Sequence, residues 1–342
     1  MKRTPMASTT RRASFTSDRR VKTYLSNSLA PSTISSYLSD LRHFKGWGGR
    51  VPSTPEMVAR YLAESAGTYK ASTLARRLAA IAHAHVLIGR KSPVGSEVVR
   101  RTMRGISRVH GASTKQAKPL TLQALRVLLR RRSDVSPLRD LRDRALLLLG
   151  FAGGFRRSEL VTLRPVDLEL RLEGLLISVR RSKTDQYGKG RVVAVPSGRG
   201  VLCPVKVVLR WVHALRKLDP EGASKPLFRA LDQHGNIGQR LTAQSVGLIL
   251  KRRLSLCGED SAGVSSHSLR AGLVTASAAA GTPTWAIQRQ TGHRSAKSVH
   301  EYVRGLGPFH LNAYGALNHS GQARQPSRTS APHDVLTFTI GS

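Results

Sequence analysis

The sequence HSLRAGLVTASAAAGTPTWAIQRQTGHRSAKSVHEY, residues 267–302, carries the most informative pattern of the chain. Its apolar spacing predicts three consecutive helices, at about 267 to 280, 284 to 290 and 295 to 304. His267 and Arg270 are three positions apart at the start of the first helix, so both side chains project from one face. His293 follows Gly292 just after the second helix, and Tyr302 lies on the third.

Two segments upstream complete this pattern. In GGFRRSEL, Arg156 follows a glycine break and begins a short helix that stops near Pro165. The segments Leu175 to Lys183 and Arg191 to Pro196 are rich in β-branched residues and are separated by the turn DQYGKG, which predicts a β-hairpin. Lys183 lies at that turn. Further helices are predicted at about 122 to 129, 139 to 152, 204 to 217 and 242 to 256.

The N-terminal third is predicted to be a separate helical domain. Helix starts at Pro31, Thr54-Pro55, Ser72 and Ser92-Pro93 are each followed by apolar residues at helical spacing. The polar segment from His110 to Thr121 is typical of an interdomain linker. We therefore expect a basic disordered arm (1–20), a helical domain (21–112), a linker (113–120), a mixed α/β domain (121–318) and a flexible tail (319–342).

The charge of the chain points to a polyanionic partner. Its 342 residues include 56 Lys and Arg but only 20 Asp and Glu, for a formal net charge of +36. Nucleic acid is the default partner of such a chain, with a basic tail or a membrane-surface protein as the alternative. Five arginines are expected on the outer faces of the N-terminal helices: Arg76, Arg77, Arg100, Arg101 and Arg104.

Several classes of protein are disfavoured by the sequence. No run approaches the roughly 18 apolar residues that a membrane span needs. The N-terminus is basic without the apolar stretch of a secretory signal, and either a transit peptide or a mobile arm explains it. Two cysteines, Cys203 and Cys257, without zinc spacing, suggest a reducing cytoplasm. Few carboxylates argue against a two-metal nuclease, and no metal site is expected.

The ordered set GFRRSEL, SKT, HSLR, TGH and EY resembles the tyrosine recombinase (phage integrase) family over about residues 20 to 318. The resemblance implies a mostly α fold with a small β-sheet in the catalytic domain, arranged as a two-domain C-shaped clamp around duplex DNA. It implies a site-specific recombinase that acts as a homotetramer on synapsed DNA in the cytoplasm, associated with the nucleoid. The implied catalytic residues are Arg156, Lys183, His267, Arg270, His293 and the nucleophile Tyr302, with Glu159 as a supporting residue.

These residue types suit phosphoryl transfer at a DNA phosphodiester without a metal or any other cofactor. Arg156 and Arg270 can neutralise the non-bridging oxygens in the transition state. A phenol with a pKa of about 10 needs a base, for which His267 is the candidate. Lys183 can protonate the leaving 5′-oxygen, and His293 can add a hydrogen bond to the phosphate.

Other residues and other functions also fit parts of the sequence. Tyr314 lies in a segment that is typical of a packing helix, and Tyr187 lies in the hairpin turn. Arg157, next to Arg156, is expected to face DNA or solvent, and surface positions are expected for His300 and Glu301. The alternative functions are a type IB topoisomerase-like enzyme, which uses the same chemistry without synapsis, and a non-catalytic DNA-binding protein on the same fold.

Overall fold

A computed structural model describes residues 28–111, 117–130, 136–180 and 190–303 of the chain. The chain divides into two compact units, an N-terminal unit of residues 1–115 and a C-terminal unit of residues 116–342. The expected basic arm (1–20) and flexible tail (319–342) lie outside the described residues.

The described residues of the N-terminal unit form four α-helices. Their bounds are α1 Pro31–Gly46, α2 Pro55–Ser65, α3 Ala71–Leu87 and α4 Glu97–His110. Proline occupies the first turn of α1 and α2, where its missing N–H costs no helical hydrogen bond, and the Thr54 hydroxyl accepts from the Met57 N–H. Helix α1 packs on α3 and α2 packs on α4, around a core that includes Phe44, Tyr61 and Leu74.

The C-terminal unit combines eight helices with two small sheets among its described residues. The helices are α5 Leu122–Arg130, α6 Pro137–Ala152, α7 Arg157–Thr162, α8 Pro204–Leu218, α9 Ala243–Leu256, α10 His267–Ala279, α11 Thr284–Thr291 and α12 Ala296–Val303. The strands are β1 Leu168–Leu170, β2 Gly174–Val179, β3 Arg191–Pro196, β4 Arg229–Leu231 and β5 Ile237–Arg240. All pairings are antiparallel, in the orders β1-β2-β3 and β4-β5.

Helix α6 forms the centre of this unit. Leu146 to Leu149 are four consecutive buried residues, so the C-terminal half of the helix is enclosed on all sides. Helix α8 packs on one side, with Trp211 fully buried and its indole N–H donating to the Leu227 carbonyl over 2.9 Å. Helix α10 packs on another side and brings its N-terminal residues, His267 and Arg270, towards α7 and α11.

The predicted fold class, mostly α with small β elements, is confirmed. The predicted helices all appear to within a few residues, and the predicted hairpin strands correspond to β2 and β3. Strands β1, β4 and β5 were not predicted, because three or four residues are too few to show an alternating pattern. The end of the expected linker packs on the C-terminal unit, where the Leu120 N–H donates to the Ser268 carbonyl over 3.0 Å.

Candidate active site

Three consecutive carbonyls at the C-terminal end of α11 each accept a hydrogen bond from a different arginine. Arg191 donates to Gln290 over 2.9 Å, Arg270 donates to Thr291, and Arg156 donates to Gly292 over 3.0 Å. The last carbonyls of a helix have no partner within it and carry the negative end of the helix dipole. This helix end therefore gathers three guanidinium groups at one place.

Gly292 makes this arrangement possible. It ends α11 in the left-handed conformation, with φ of +69°, which glycine adopts without steric cost. A Cβ at this position would lie 2.8 Å from the Arg191 Nε, so a side chain would also displace that guanidinium. The turn leads directly to His293, whose ring is hydrogen-bonded to Thr291 and lies beside the ring of Tyr302.

Arg156 precedes α7 as its N-cap residue and is held by Glu159. Its backbone N–H donates to one carboxylate oxygen over 3.0 Å, and its Nη1 donates to the other over 2.7 Å. Glu159 is 2% exposed, and its charge is compensated by Arg156 and by Arg191, whose Nη2 lies 2.7 Å away. A buried carboxylate paired on both sides orients the guanidinium of Arg156 and supports the expected role of Glu159.

Arg270 is the most deeply buried cation of the site, with 1% of its surface exposed. Its Nη1 donates to the Gly154 carbonyl over 2.7 Å and to Thr291, whereas its Nη2 is buried without a partner. Burial lowers the pKa of Arg270 to about 10, and the positive charge of Arg156 adds to the effect. The group is still charged at neutral pH, and its unpaired N–H groups suit an anionic acceptor.

The imidazole of His293 is hydrogen-bonded through Nδ1 to the Thr291 hydroxyl over 2.7 Å. That hydroxyl also lies 2.6 Å from the Ile287 carbonyl, to which it donates in the usual helical geometry. Burial lowers the pKa of His293 to about 3, with further contributions from Arg270 and Arg156, so the ring is neutral at pH 7. The rings of His293 and Tyr302 are tilted by 50° to each other, with centroids 6.2 Å apart.

The phenol of Tyr302 contacts His267 directly. Its oxygen lies 2.6 Å from the His267 Nε2. Burial raises the pKa of Tyr302, Arg270 opposes the shift and Glu301 adds to it, so the phenol is protonated at neutral pH. Partial burial lowers the pKa of His267, and Arg270 and Arg156 lower it further, so the imidazole is a neutral acceptor. The pair has the proton states that a nucleophile and its base require.

Helix α12 supplies Tyr302 to this site by packing on α10 and α11. Val299 on α12 is fully buried against Val274 and Ile287, and the half-buried ring of Tyr302 packs on the same cluster. Five of the six predicted catalytic residues are thus together: Arg156, His267, Arg270, His293 and Tyr302. The sixth, Lys183, lies outside the described residues, as do the rival tyrosines Tyr187 and Tyr314.

Sequence reasoning missed Arg191, the third guanidinium of the site. It begins β3 and pairs with Val179, the last residue of β2, so it closes the described part of the hairpin. Burial lowers the pKa of Arg191, although the neighbouring Glu159 opposes the shift. The only available signal was a cation directly after the turn that contains Lys183, and nothing in the sequence distinguished it from the other lysines and arginines.

The arginines expected to contact DNA are not equivalent. Arg76, Arg100, Arg101, Arg104 and Arg157 are exposed. Arg77 is 6% exposed, lies over the Tyr69 ring at 3.9 Å, and has its Nε 3.8 Å from Asp40. The expectation that Arg77 lies on an outer face is therefore wrong. Neighbouring positions of a helix face different directions, and on α3 Arg76 faces outward whereas Arg77 faces the interior. His300 and Glu301 are exposed on α12.

Comparison with known proteins identifies the family. Residues 118–306 match the phage integrase family, and residues 22–86 match the N-terminal SAM-like domain of phage integrases. The chain belongs to the phage integrase family. Its members are tyrosine recombinases, a family of site-specific DNA recombinases, and the resemblance drawn from the sequence is confirmed.

Relatives of this family member cover most of its length. It is 34% identical over 309 residues to an integrase/recombinase XerD homolog of Selenomonas ruminantium, which covers 87% of this chain and 89% of the relative. It is 30% identical over 292 residues to the tyrosine recombinase Synpcc7942_B2651 of Synechococcus elongatus, covering 80% and 84% of the two chains.

Solved structures of recombinases share the fold. A XerH site-specific recombinase in a post-cleavage complex with palindromic difH substrate superposes with a TM-score of 0.61 at 18% identity, covering 84% of this chain and 79% of that chain. A lambda integrase dimer bound to a COC′ core site superposes with a TM-score of 0.57 at 15% identity, covering 82% and 74%. Among the described residues, no helix is long and apolar enough to cross a membrane, and no cluster of side chains suits a metal ion.

Proposed function

We propose that this integrase-family chain is a site-specific recombinase that cuts and rejoins duplex DNA through a 3′-phosphotyrosine on Tyr302. The observation that carries the proposal is the pair of Tyr302 and His267, 2.6 Å apart, beside the buried Arg270 with its unpartnered Nη2. A nucleophile that is hydrogen-bonded to its base, beside a cation with a free N–H donor, is the arrangement that attack on a phosphodiester requires.

The attack is a transesterification in which one ester bond replaces another. The Tyr302 oxygen forms a bond to phosphorus, its proton passes to the His267 Nε2, and the bond from phosphorus to the 5′-oxygen breaks. The products are a 3′-phosphotyrosine and a free 5′-hydroxyl. Attack by that hydroxyl, or by one from a second duplex, reverses the step and releases the enzyme, and the exchange needs no external energy source.

The negative charge that develops on the non-bridging oxygens is stabilised by Arg156 and Arg270. Both guanidiniums are anchored by carbonyls of the α11 end, so they need no reorganisation when the charge appears. Neutral His293 donates a hydrogen bond to the phosphate in the tautomer that carries its proton on Nε2. This tautomer requires the Thr291 hydroxyl to turn its proton from the Ile287 carbonyl to the His293 Nδ1. No step requires a metal or another cofactor.

Lys183 is the proposed acid that protonates the departing 5′-oxygen. It lies in the stretch that joins β2 to β3, four positions after Val179. The strand ends on both sides of this stretch support the assignment, because Val179 pairs with Arg191 and the Arg191 side chain contacts Glu159 at the site. A lysine that reaches the site from this turn is able to act on the leaving group.

The proposed partner is double-stranded DNA, contacted by both units. The proposed active form is a homotetramer in the nucleoid. The net charge of +36 supports a polyanionic partner. Exposed arginines on α3 and α4, namely Arg76, Arg100, Arg101 and Arg104, are proposed to contact phosphates, together with Arg157 on α7. A lambda integrase tetramer bound to a Holliday junction, with a TM-score of 0.57, supports the assembly by analogy of fold.

Covalent trapping on DNA tests the proposal. The protein is incubated with plasmid or genomic DNA, denatured, and the protein–DNA junction is sequenced. Wild type should yield an adduct at one site, and Tyr302→Phe should bind the same DNA without forming it, because only the phenolic oxygen is lost. An adduct in the Phe variant would contradict the assigned nucleophile, and DNA binding without any wild-type adduct would indicate the non-catalytic alternative. Relaxation of supercoils without two-site recombination would indicate the topoisomerase-like one.

A further inference from the structure

Arg191 connects three elements around the site and has no role in the chemistry proposed above. From the start of β3 its Nη1 reaches the Gln290 carbonyl at the end of α11, over 2.9 Å. Its Nη2 reaches Glu159 on α7, over 2.7 Å. One side chain thus joins the hairpin, the helix that follows Arg156 and the helix end that precedes His293.

We propose that Arg191 is a positioning residue that holds Glu159 and the end of α11 so that Arg156 presents its guanidinium to the scissile phosphate. The inference rests on the proposed function. Glu159 divides its two oxygens between cations, Oε1 to the Arg156 Nη1 and Oε2 to the Arg191 Nη2. Without Arg191, the buried carboxylate loses a charged donor and has Arg156 as its remaining cation.

The contacts of Arg156 explain why this loss reaches the phosphate. Its side chain has two anchors, Glu159 through Nη1 and the Gly292 carbonyl through Nη2. Arg191 holds both of them, because it binds Glu159 directly and binds the carbonyl two residues before Gly292. When Arg191 is removed, the carboxylate is free to turn towards Arg156 and the helix end loses one of its three cations. The guanidinium of Arg156 is then both displaced and more fully neutralised.

The hydrogen bonds of the Arg191 guanidinium are made to residues that flank the site. Both of its terminal nitrogens are already engaged, and its Nε is buried and faces Gly292, where a Cβ would come within 2.8 Å. Its side chain is 18% exposed. Because Arg191 binds the carboxylate that holds Arg156 and the helix end that holds Arg156, the proposal assigns it a positioning role through Arg156.

The test compares three scissile linkages in one suicide duplex built on the site that junction sequencing identifies. The linkages are a normal phosphodiester, a methylphosphonate that lacks one negative charge, and a 5′-phosphorothiolate whose sulfur leaves without protonation. Single-turnover formation of the covalent complex is measured for full-length wild type, Arg191→Met and Arg156→Met. On the phosphodiester, Arg191→Met should react about 100-fold more slowly, the size of effect expected when a reacting group is displaced.

The expected signature is a defect that depends on charge. On the methylphosphonate the ratio of the wild-type rate to the Arg191→Met rate should fall by about tenfold or more, as it should for Arg156→Met. The reason is that this linkage lacks the negative charge that the Arg156 guanidinium stabilises. On the 5′-phosphorothiolate the ratio of the wild-type rate to the Arg191→Met rate should be the same as on the phosphodiester. Arg191→Lys should be intermediate, because one ammonium keeps the charge but lacks the planar fork that serves both partners.

A matched control separates positioning from folding. Arg229→Met removes another buried arginine of the C-terminal unit, whose ion pair is with Asp219 rather than with the site. If Arg229→Met reduces the amount of folded protein, it should lower the rates on all three linkages by the same factor. If Arg191→Met loses the same proportion of its rate on all three linkages, the proposal is overturned. It is also overturned if the 5′-phosphorothiolate restores the rate of Arg191→Met, because Arg191 would then support Lys183 in protonating the leaving group. A wild type that forms no adduct on the phosphodiester would instead overturn the proposed function itself.

Discussion

The Tyr302 oxygen lies 2.6 Å from the His267 Nε2, although the two residues are 35 positions apart in the chain. The helices that carry them, α10 and α12, pack directly against each other. The pKa of the phenol is raised and the pKa of the imidazole is lowered, so the proton belongs to Tyr302 in the free protein. Attack on a phosphate therefore requires this proton to move to His267.

The first prediction concerns the pH dependence of this transfer. His267 has a pKa below its usual value of 6.5, so its neutral form persists at pH 6.5 and is lost only as the pH falls through the lowered value. The apparent kcat/KM for covalent complex formation, which reports the free enzyme, should therefore fall on the acid side with a midpoint below pH 6.5. His267→Asn should be slower and should lack this limb. An unchanged acid limb in His267→Asn would assign the ionisation to another group.

The second prediction separates the roles of Lys183 and Arg270. If Lys183 protonates the leaving 5′-oxygen, a bridging 5′-phosphorothiolate should restore cleavage by Lys183→Ala, because sulfur leaves without a proton. Arg270 stabilises the negative charge on the non-bridging oxygens, and that charge develops with either leaving group. Arg270→Ala should stay slow on both substrates by a factor on the order of 10² to 10³. The measurement is single-turnover formation of the covalent complex, and rescue of Arg270→Ala alone would reverse the two assignments.

The third prediction concerns Gly292. In Gly292→Ala the new Cβ meets the Arg191 Nε at 2.8 Å and the residue keeps a left-handed φ of +69°. Gly281→Ala is a matched control, because Gly281 has φ of +77° and open space around it. The control should lose about 1–2 kcal/mol of unfolding free energy, the cost of the left-handed conformation, with its cleavage rate intact. Gly292→Ala should lose more stability and most of its cleavage rate, as measured by denaturant unfolding and covalent trapping. Equal behaviour of the two variants would show that the space beside Arg191 does not matter.

The fourth prediction concerns DNA binding by the N-terminal unit. Each phosphate contact contributes about −0.9 to the slope of log K against log salt, so binding by the wild type should weaken steeply with salt. Arg101→Met removes an exposed cation and should reduce the slope by about 1. Arg77→Met removes the buried cation beside Tyr69 and Asp40, so it should lower the melting temperature and leave the slope unchanged. The reverse pattern would restore Arg77 to the DNA-facing surface.

Much of the candidate site was predictable because its residues are tied to local signals. Three of these residues lie at boundaries of secondary structure that a sequence reveals. Arg156 follows a glycine break, His267 starts a helix, and His293 follows Gly292, which ends the preceding helix. Arg77 was misplaced because adjacent helical positions point about 100° apart. Both Arg76 and Arg77 contact Asp40, and a sequence does not say which of the two is buried over Tyr69. Lys183 remains a prediction, since it lies outside the described residues.

The sequence by itself determined the helices, the hairpin strands and the family, because periodicity, caps and ordered motifs are local properties of the chain. Only the tertiary structure decided that Arg156, Arg191 and Arg270 converge on the carbonyls of residues 290–292. Two of these contacts join residues 136 and 99 positions apart, and the third joins residues 21 apart on different helices. The lowered pKa of Arg270 and its unpartnered Nη2 follow from that convergence, because burial and hydrogen-bond partners arise only when the elements pack.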